Sequence, residues 1–282
     1  MKNVLRTLVY DGQVSLTLID TTEIVKKGIQ LHKLTPASGY VFGKALSVMT
    51  FMSACLKEEV GEISLSLKTA GECGEIAVSG NRALRMRGYI LNTEISGAAD
   101  TAAERISLGE NGSLTIIRDD GYNRPFVGAC ALPSGGVDEA FEEYYRISEQ
   151  LPTYIKTAIN FIENDCVFAG VAVLQPLPFA DEQTLEKVRA FDLCALLSQM
   201  REKGVEEAAS AYFDKDESVW EMRKAVYQCN CSRRYLTRVL VSLGEEQLRT
   251  IIREEGAARI HCHYCNTDYE FTDEDADALF LR

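Results

Sequence analysis

The sequence predicts an α+β protein: an N-terminal domain of mixed β-sheet and helix, a helical linker, and a small C-terminal domain built around four cysteines. Three observations carry this reading. Apolar–polar alternation broken by glycine recurs through the first two thirds of the chain, with helical stretches segregated from it. After Pro176 and Pro178 the character changes, and residues 181–226 contain no proline and few β-branched residues. Finally, Cys229, Cys231, Cys262 and Cys265 are grouped near the C-terminus, whereas Cys55, Cys73, Cys130, Cys166 and Cys194 are scattered. The boundaries fall at 1–178, 179–226 and 227–282.

In chain order, "RTLVYDGQVSLTLID" places Asp11-Gly12 between two apolar alternations, a hairpin signal. "LTPASGYVFGKALSVMTFMSACLKEE" predicts a helix from near Ser38. It is apolar almost all round, so it belongs at the centre. "EISLSLKTAGECGEIAVSGNRALRMRGYI" predicts two or three antiparallel strands, and "GSLTIIRDDGYNRPFVGACAL" a strand pair around Asp120-Gly121. "SGGVDEAFEEYYRISEQLP" predicts an amphipathic helix stopped by Pro152, with Val137, Phe141, Tyr144 or Tyr145, and Ser148 on one side. "YIKTAINFIENDCVFAGVAVLQPLP" returns to strand, with a turn at 163–165.

In the linker, Leu185, Val188, Leu193, Leu196, Leu197 and Met200 suit one helical stripe. The following "REKGVEEAASAYFDKDESVWEM" is charged and thin in large apolar residues, a connector of marginal intrinsic stability. In the tail, Leu236, Val239, Leu240 and Leu243 make a stripe stopped by Gly244, and Leu248, Ile251 and Ile252 a second one ended by Gly256. "ARIHCHYCNTDYEF" predicts a hairpin with cysteines at its tip, and "TDEDADALF" a last capped turn. So small a core needs a staple.

Composition excludes several classes. A chain of 282 residues, 46% hydrophobic and 26% charged, has a soluble globular balance. No apolar run approaches the roughly 20 residues that span a bilayer. "MKNVLRTLVYDGQ" lacks the features of a signal peptide, so the expected location is cytoplasmic, with thiols reduced. A net charge of -12 disfavours nucleic-acid binding, although Arg233, Arg234 and Arg238 form a local basic patch or a solvated helix face. Cys55 and Cys194 sit in apolar runs and read as small buried hydrophobes. No G-x-x-x-x-G-K-[ST] loop is present, so nothing points to ATP.

The grouped cysteines form C-x-C, about thirty residues, then C-x-x-C, a bipartite arrangement suited to one tetrahedral Zn²⁺. Free thiols and an iron–sulfur cluster are the alternatives. Four cysteines close the shell, which leaves His261 and His263 without a metal role and leaves no open position for a catalytic zinc. The expectation is therefore a protein that is not an enzyme. A C-x-C pair is unusual in a purely structural site. Bridging Cys229 to Cys231 would close a tight, strained ring of the kind that is easily reduced, which opens a redox reading beside the structural one.

"CNCSRR…LGEEQL…CHYC" resembles the zinc end of the heat shock protein 33 family of redox-regulated holdase chaperones. "RGY" within "MRGYI", "YRISEQLPT", "AGVAVLQPLP" and the region around "DTTEIVKKGIQLHKLTPASGYVFGKALSV" are similar to that family's other motifs, in order along nearly the whole chain. Departures are Val171, where the family tends to have a second glycine, and "MRKAVYQ" before Cys229. The resemblance implies an ATP-independent chaperone, inactive when reduced and holding one Zn²⁺ on Cys229, Cys231, Cys262 and Cys265. It implies that oxidation forms Cys229–Cys231 and Cys262–Cys265 disulfides, releases zinc and unfolds the linker. The partners implied are unfolding client proteins and, on oxidation, a second copy in a homodimer, with neither nucleic acid nor membrane. A zinc-ribbon-type nucleic-acid-binding protein and a zinc or thiol enzyme are the competing readings.

Overall fold

The Asp11-Gly12 turn joins Val4–Val9 (β1) to Val14–Asp20 (β2). It needs left-handed backbone, with φ of 53° at Tyr10 and Asp11 and 77° at Gly12, which is why Asp and Gly stand there. The computed structural model describes residues 2–132, 136–214 and 219–280. Ser134 and Gly135 of the "SGG" segment and residues 215–218 of the charged stretch lie outside the described residues. The chain forms two units, residues 1–227 and 228–282.

In the first unit, Thr22–His32 (α1) leads to Pro36–Ala54 (α2). The latter begins with Thr35 as N-cap and Pro36 in the first turn. Every residue of α2 except Pro36 and Tyr40 is buried, as its all-round apolar sequence predicts. Gly28 lets α1 approach: a Cβ there would lie 2.7 Å from Phe42 Cε1 of α2. Then come Glu62–Lys68 (β3), Glu75–Asn81 (β4), Arg85–Ile90 (β5), Thr101–Leu108 (α3), Ser113–Asp119 (β6) and Phe126–Ala131 (β7). Val137–Tyr144 (α4) runs into a π-helical turn, Tyr145–Glu149. The wider turn brings both tyrosines inside, Tyr144 at 0% and Tyr145 at 4% exposure, where a regular helix would bury one. Tyr154–Ile162 (β8) and Asp165–Pro176 (β9) follow, and Val171 sits fully buried in mid-strand.

The linker region holds Glu182–Ala190 (α5), Leu193–Lys203 (α6), Val205–Ser210 (α7), Glu221–Arg223 (β10) and Val226–Tyr227 (β11). The single stripe expected there is cut at Asp192, whose carboxylate accepts from the Cys194 and Ala195 N–H groups and starts a new helix. Val188, Leu196, Leu197, Met200, Val205 and Phe213 cover a sheet face made by Leu5, Leu16, Leu18 and Leu174. Cys194 is exposed, contrary to expectation, because the stripe meeting the sheet runs through Leu196, Leu197 and Met200. Cys55 is half-buried against the main core.

Residues 221–227 are extended rather than helical. Their backbone completes two sheet edges: β10 pairs antiparallel with β1, and β11 pairs parallel with β5. The strand orders are β10-β1-β2-β9-β8 and β11-β5-β4-β3-β6-β7, and α2 packs against strands of both sheets in one core. Asn3 clamps the strap between them through hydrogen bonds with the N–H and C=O of Ala225. Inside the core, Lys44 Nζ of α2 lies 2.8 Å from Glu104 of α3 and 3.4 Å from Asp138 of α4, with all three side chains at most 4% exposed. Glu104 also accepts from Val137 N and Asp138 from Thr157 Oγ1, so the buried charges are paired and hydrogen-bonded.

The second unit comprises Arg233–Leu243 (α8), Glu245–Glu255 (α9), Ala258–Cys262 (β12), Thr267–Phe271 (β13) and Asp273–Phe280 (α10). Its core is Leu236, Leu240, Leu248, Ile252 and Phe271 with Ala258 and Ala276, and the half-buried Ile251, Ile260, Tyr269, Leu279 and Phe280 pack against it. Val239 and Leu243, expected on the α8 stripe, are 45% and 40% exposed, so only Leu236 and Leu240 of that stripe reach the core. Gly256 ends α9 in left-handed conformation, φ 81°.

Candidate metal centre

Cys229 and Cys231 lie in the segment before α8. Its N-cap Ser232 is extended (φ -158°, ψ 156°) and accepts from Tyr235 N. In extended chain, residues two apart face the same side, which is how C-x-C can present two sulfurs together. Cys262 ends β12 and Cys265 stands in the turn to β13. That turn is held by Cys265 N donating to Cys262 O, by Thr267 Oγ1 donating to Cys265 O, and by Asn266 at φ 51°.

The four Sγ atoms all lie within 4.8 Å of one another. Cys229 and Cys262 are 3.8 Å apart and Cys231 and Cys265 3.0 Å, and all nine cysteines are free thiols. A tetrahedral ion with sulfur ligands at about 2.3 Å has S···S edges of about 3.8 Å, so the donor set fits one thiophilic ion. A multi-iron cluster would hold its thiolates farther apart. Burial alone would raise the Cys231 thiol, but hydrogen bonds from Tyr269 and the other three thiols outweigh it and bring it down to about 7. Burial pushes Cys265 up to about 11 and raises Cys229 as well. The Tyr269 hydroxyl stands 3.3 Å from Cys231 Sγ and can donate to the thiolate.

His261 and His263 pack edge to face at 5.0 Å, and His261 Nδ1 lies 2.7 Å from Asp268 Oδ1. Neither belongs to the converging group of potential ligands. Arg233 is not a free patch residue: it lies over the Phe271 ring at 4.4 Å, donates to Glu270 O and pairs with Asp275 at 2.7 Å. Sequence reading missed Tyr269 and the Arg233–Phe271–Asp275 brace. The alternation in "TDYEF", which sets Tyr269 opposite Ile260, is the signal that could have placed the tyrosine. The scattered thiols do not join the site. Cys73 is pushed up to about 12 and Cys166 to about 11, chiefly by burial, and burial also raises Cys55 and Cys130.

The model of the Hsp33 protein family matches residues 2–272. The chain belongs to the Hsp33 family. Among similar Hsp33 relatives, the 33 kDa chaperonin of Clostridium novyi is 30% identical over 98% of this chain and 96% of its own length. That of Bacillus cereus is 31% identical over 97% of each chain. The solved 33 kDa chaperonin of Thermotoga maritima aligns with a TM-score of 0.81 at 23% identity, covering 99% of this chain and 98% of that one, and shows the same fold. Family membership makes this a chaperone, and the Hsp33 motifs "YRISEQLPT" and "CHYC" fall on the π-helical turn and on the cysteine hairpin.

Proposed function

We propose that this chain is a redox-regulated, ATP-independent holdase of the cytoplasm. Reduced, it carries one Zn²⁺ on Cys229, Cys231, Cys262 and Cys265 and is inactive. Oxidation forms the Cys229–Cys231 and Cys262–Cys265 disulfides. With peroxide as oxidant, four thiolates lose four electrons; two peroxides and four protons become four waters, and the ion leaves because disulfide sulfur is a poor ligand. The observation that carries the reading is the convergence of four thiols inside a unit whose buried core is Leu236, Leu240, Leu248, Ile252 and Phe271 with two alanines, the other apolar side chains against it being only half-buried. A zinc site contributes on the order of 10–16 kcal/mol to folding, more than so small a core supplies.

The linker supports the second half of the proposal. Helices α5–α7 cover an apolar sheet face, and the strap β10–β11 ends at Tyr227, two residues before Cys229. Loosening these would bare Leu5, Leu16, Leu18 and Leu174 to unfolding clients. The oxidised, client-holding form is a homodimer in this reading. Among the described residues no helix is long and apolar enough to cross a membrane. The test is an aggregation assay with a chemically unfolded client, comparing reduced, zinc-loaded protein with peroxide-treated protein while released zinc is measured. Suppression should appear only after oxidation and in step with zinc release. Equal suppression by both forms would sink the redox switch.

A further inference from the structure

Arginines crowd the C-terminal end of α2. That helix has no basic residue in its own last turn, so the free carbonyl of Ala54 is served from elsewhere. Arg6 Nη1 of β1 donates to it at 2.8 Å and Arg223 Nη1 of β10 at 3.4 Å. Arg223 also donates through Nη2 to the carbonyl of Arg82, which stands in the turn between β4 and β5. Two carbonyls do not satisfy three guanidinium groups. The Nε–H donors of Arg6 and Arg82 are both buried without an acceptor, a costly state for a polar group. Among the described residues, the one carboxylate within ion-pair distance of the three is the exposed Glu221, 3.9 Å from Arg223 Nε. Burial lowers the Arg223 pKa, and the charges of Arg82 and then Arg6 push the same way against Glu221. The end of α2 contributes only about -0.5 of a charge. An excess of positive charge therefore remains here, in a chain whose net charge is -12.

We infer that Arg6 and Arg82, with Arg223 beside them, form a binding site for a small tetrahedral oxyanion of the phosphate class. The edge of a guanidinium made by Nε and Nη2 is the fork that takes two oxygens of such an ion. Arg6 has its Nη1 on Ala54 O, which leaves that edge for a ligand, and Arg82 spends no side-chain donor on the fold. Both residues are half-buried, so an ion reaches them from solvent yet meets donors already stripped of water. The bound ion supplies the missing acceptors and relieves the repulsion around Arg223. It also acts on the strap. Arg6 belongs to one sheet and Arg82 to the turn of the other, whereas Arg223 belongs to β10. An anion among them holds β10 to both sheets at once. The site is distinct from the four thiols and its test needs no oxidation, so it can fail while the redox reading stands, and the reverse.

The experiment titrates inorganic phosphate into the full-length, reduced, zinc-loaded chain, with chloride holding the ionic strength constant. The melting temperature should rise saturably, by about 3–6 °C at ten times the dissociation constant. Amides of residues 221–227 should exchange more slowly in phosphate than in chloride. Arg82→Gln should weaken phosphate about tenfold or more. In chloride alone the same variant should melt no lower than the wild type, because it removes a repelling charge and no bond of the fold. Glu221→Gln removes the competing carboxylate and should tighten phosphate severalfold; it carries the test if Arg82→Gln fails to fold by circular dichroism. Glycerol 3-phosphate forms a second arm. A matching rise extends the site to phosphoryl groups on larger molecules, and no rise restricts it to the free ion, the oxyanion site standing in both cases. Absence of a saturable rise overturns the proposal. So does an equal rise in wild type and Arg82→Gln, which is the general effect of an excluded salt. An Arg82→Gln protein that melts well below the wild type in chloride also overturns it, since Arg82 would then be satisfied within the fold, as does a phosphate affinity unchanged in Glu221→Gln.

Discussion

Phe271 offers the sharpest test of how folding and metal ligation are coupled in residues 228–282. It is 1% exposed, the largest side chain in that core, and it lies beneath the Arg233 guanidinium. Phe271→Ala removes a buried ring whose loss costs about 3–5 kcal/mol in a well-packed core. Zinc ligation is worth on the order of 10–16 kcal/mol in comparable small domains, so the variant should still fold when loaded. If the metal-free unit is unfolded, the whole cost appears in the metal affinity. At about 1.4 kcal/mol per decade, zinc should bind between about two and four decades more weakly. A competition titration against a chromophoric chelator reads this directly. Val241→Ala, at a position 45% exposed, is the control and should change affinity by no more than about twofold. An unchanged zinc affinity in Phe271→Ala would refute the coupling, because it would mean that the four thiols are organised without this core.

Cys265→Ser should lower zinc occupancy and loosen residues 228–282, whereas changing Cys73 or Cys130 should leave zinc bound; metal analysis of the purified, reduced variants checks both. Lys44 gives a pH signature. Burial lowers its pKa, but Asp138 and Glu104 outweigh burial and hold it above the ordinary 10.5. A raised folded pKa contributes stability that is fully present below the unfolded value and lost as pH rises through the folded one. Thermal melts of the wild type should therefore lose stability above about pH 10.5, a step that Lys44→Met should lack, while at neutral pH the variant loses about 3–5 kcal/mol by stranding two carboxylates. Fragment 1–227 should melt cooperatively alone. Fragment 1–178 should fold around α2 but expose the Leu5, Leu16, Leu18 and Leu174 face, so it should bind a hydrophobic dye that 1–227 does not; equal dye binding would show that α5–α7 cover nothing.

Much of the fold is written in local chemistry. The Asp11-Gly12 and Asp120-Gly121 turns, the all-round apolar α2 and the cysteine hairpin were legible because each depends on periodicity or on a residue that suits a special backbone angle. What escaped depends on partners distant in sequence. Short α3 is fixed by Glu104 reaching Lys44 and Val137 N, and nothing within "TAAERISL" announces that. The strands β10 and β11 have only three and two residues, and they exist because β1 and β5 offer unpaired edges. The exposure of Cys194 turns on which face of α6 meets the sheet, and that helix starts afresh at its N-cap Asp192 after α5 has ended at Ala190. At the site, the grouping of the four sulfurs was legible from spacing, but Tyr269 and the brace around Arg233 were not, since both join the segment from Cys231 to Arg233 to residues of β13 and α10 far along the chain.

In the proposed switch, the strap is the element through which events at Cys229 would act on sheets that hold none of the four thiols. Its backbone pairs are few: Val4 to Arg6 with Arg223 to Glu221, and Arg85 to Met86 with Val226 to Tyr227. Side chains add the Asn3 clamp, a Tyr227 hydroxyl that donates to Gly88 O, and Arg223 donating to Ala54 O at the end of α2. Short strands at a sheet edge sit at the low end of local stability, where opening costs far less than global unfolding. An ordered anchor immediately downstream limits the conformations available to a detached strap, and so keeps it seated. If residues 228–282 unfold, that constraint goes, and the entropy of the freed chain favours peeling from Tyr227 inward. Such peeling would uncover the β1 and β5 edges before the face under α5–α7. On the proposed switch, loss of ligation would thus expose strand edges and apolar surface through the covalent connection of the strap alone.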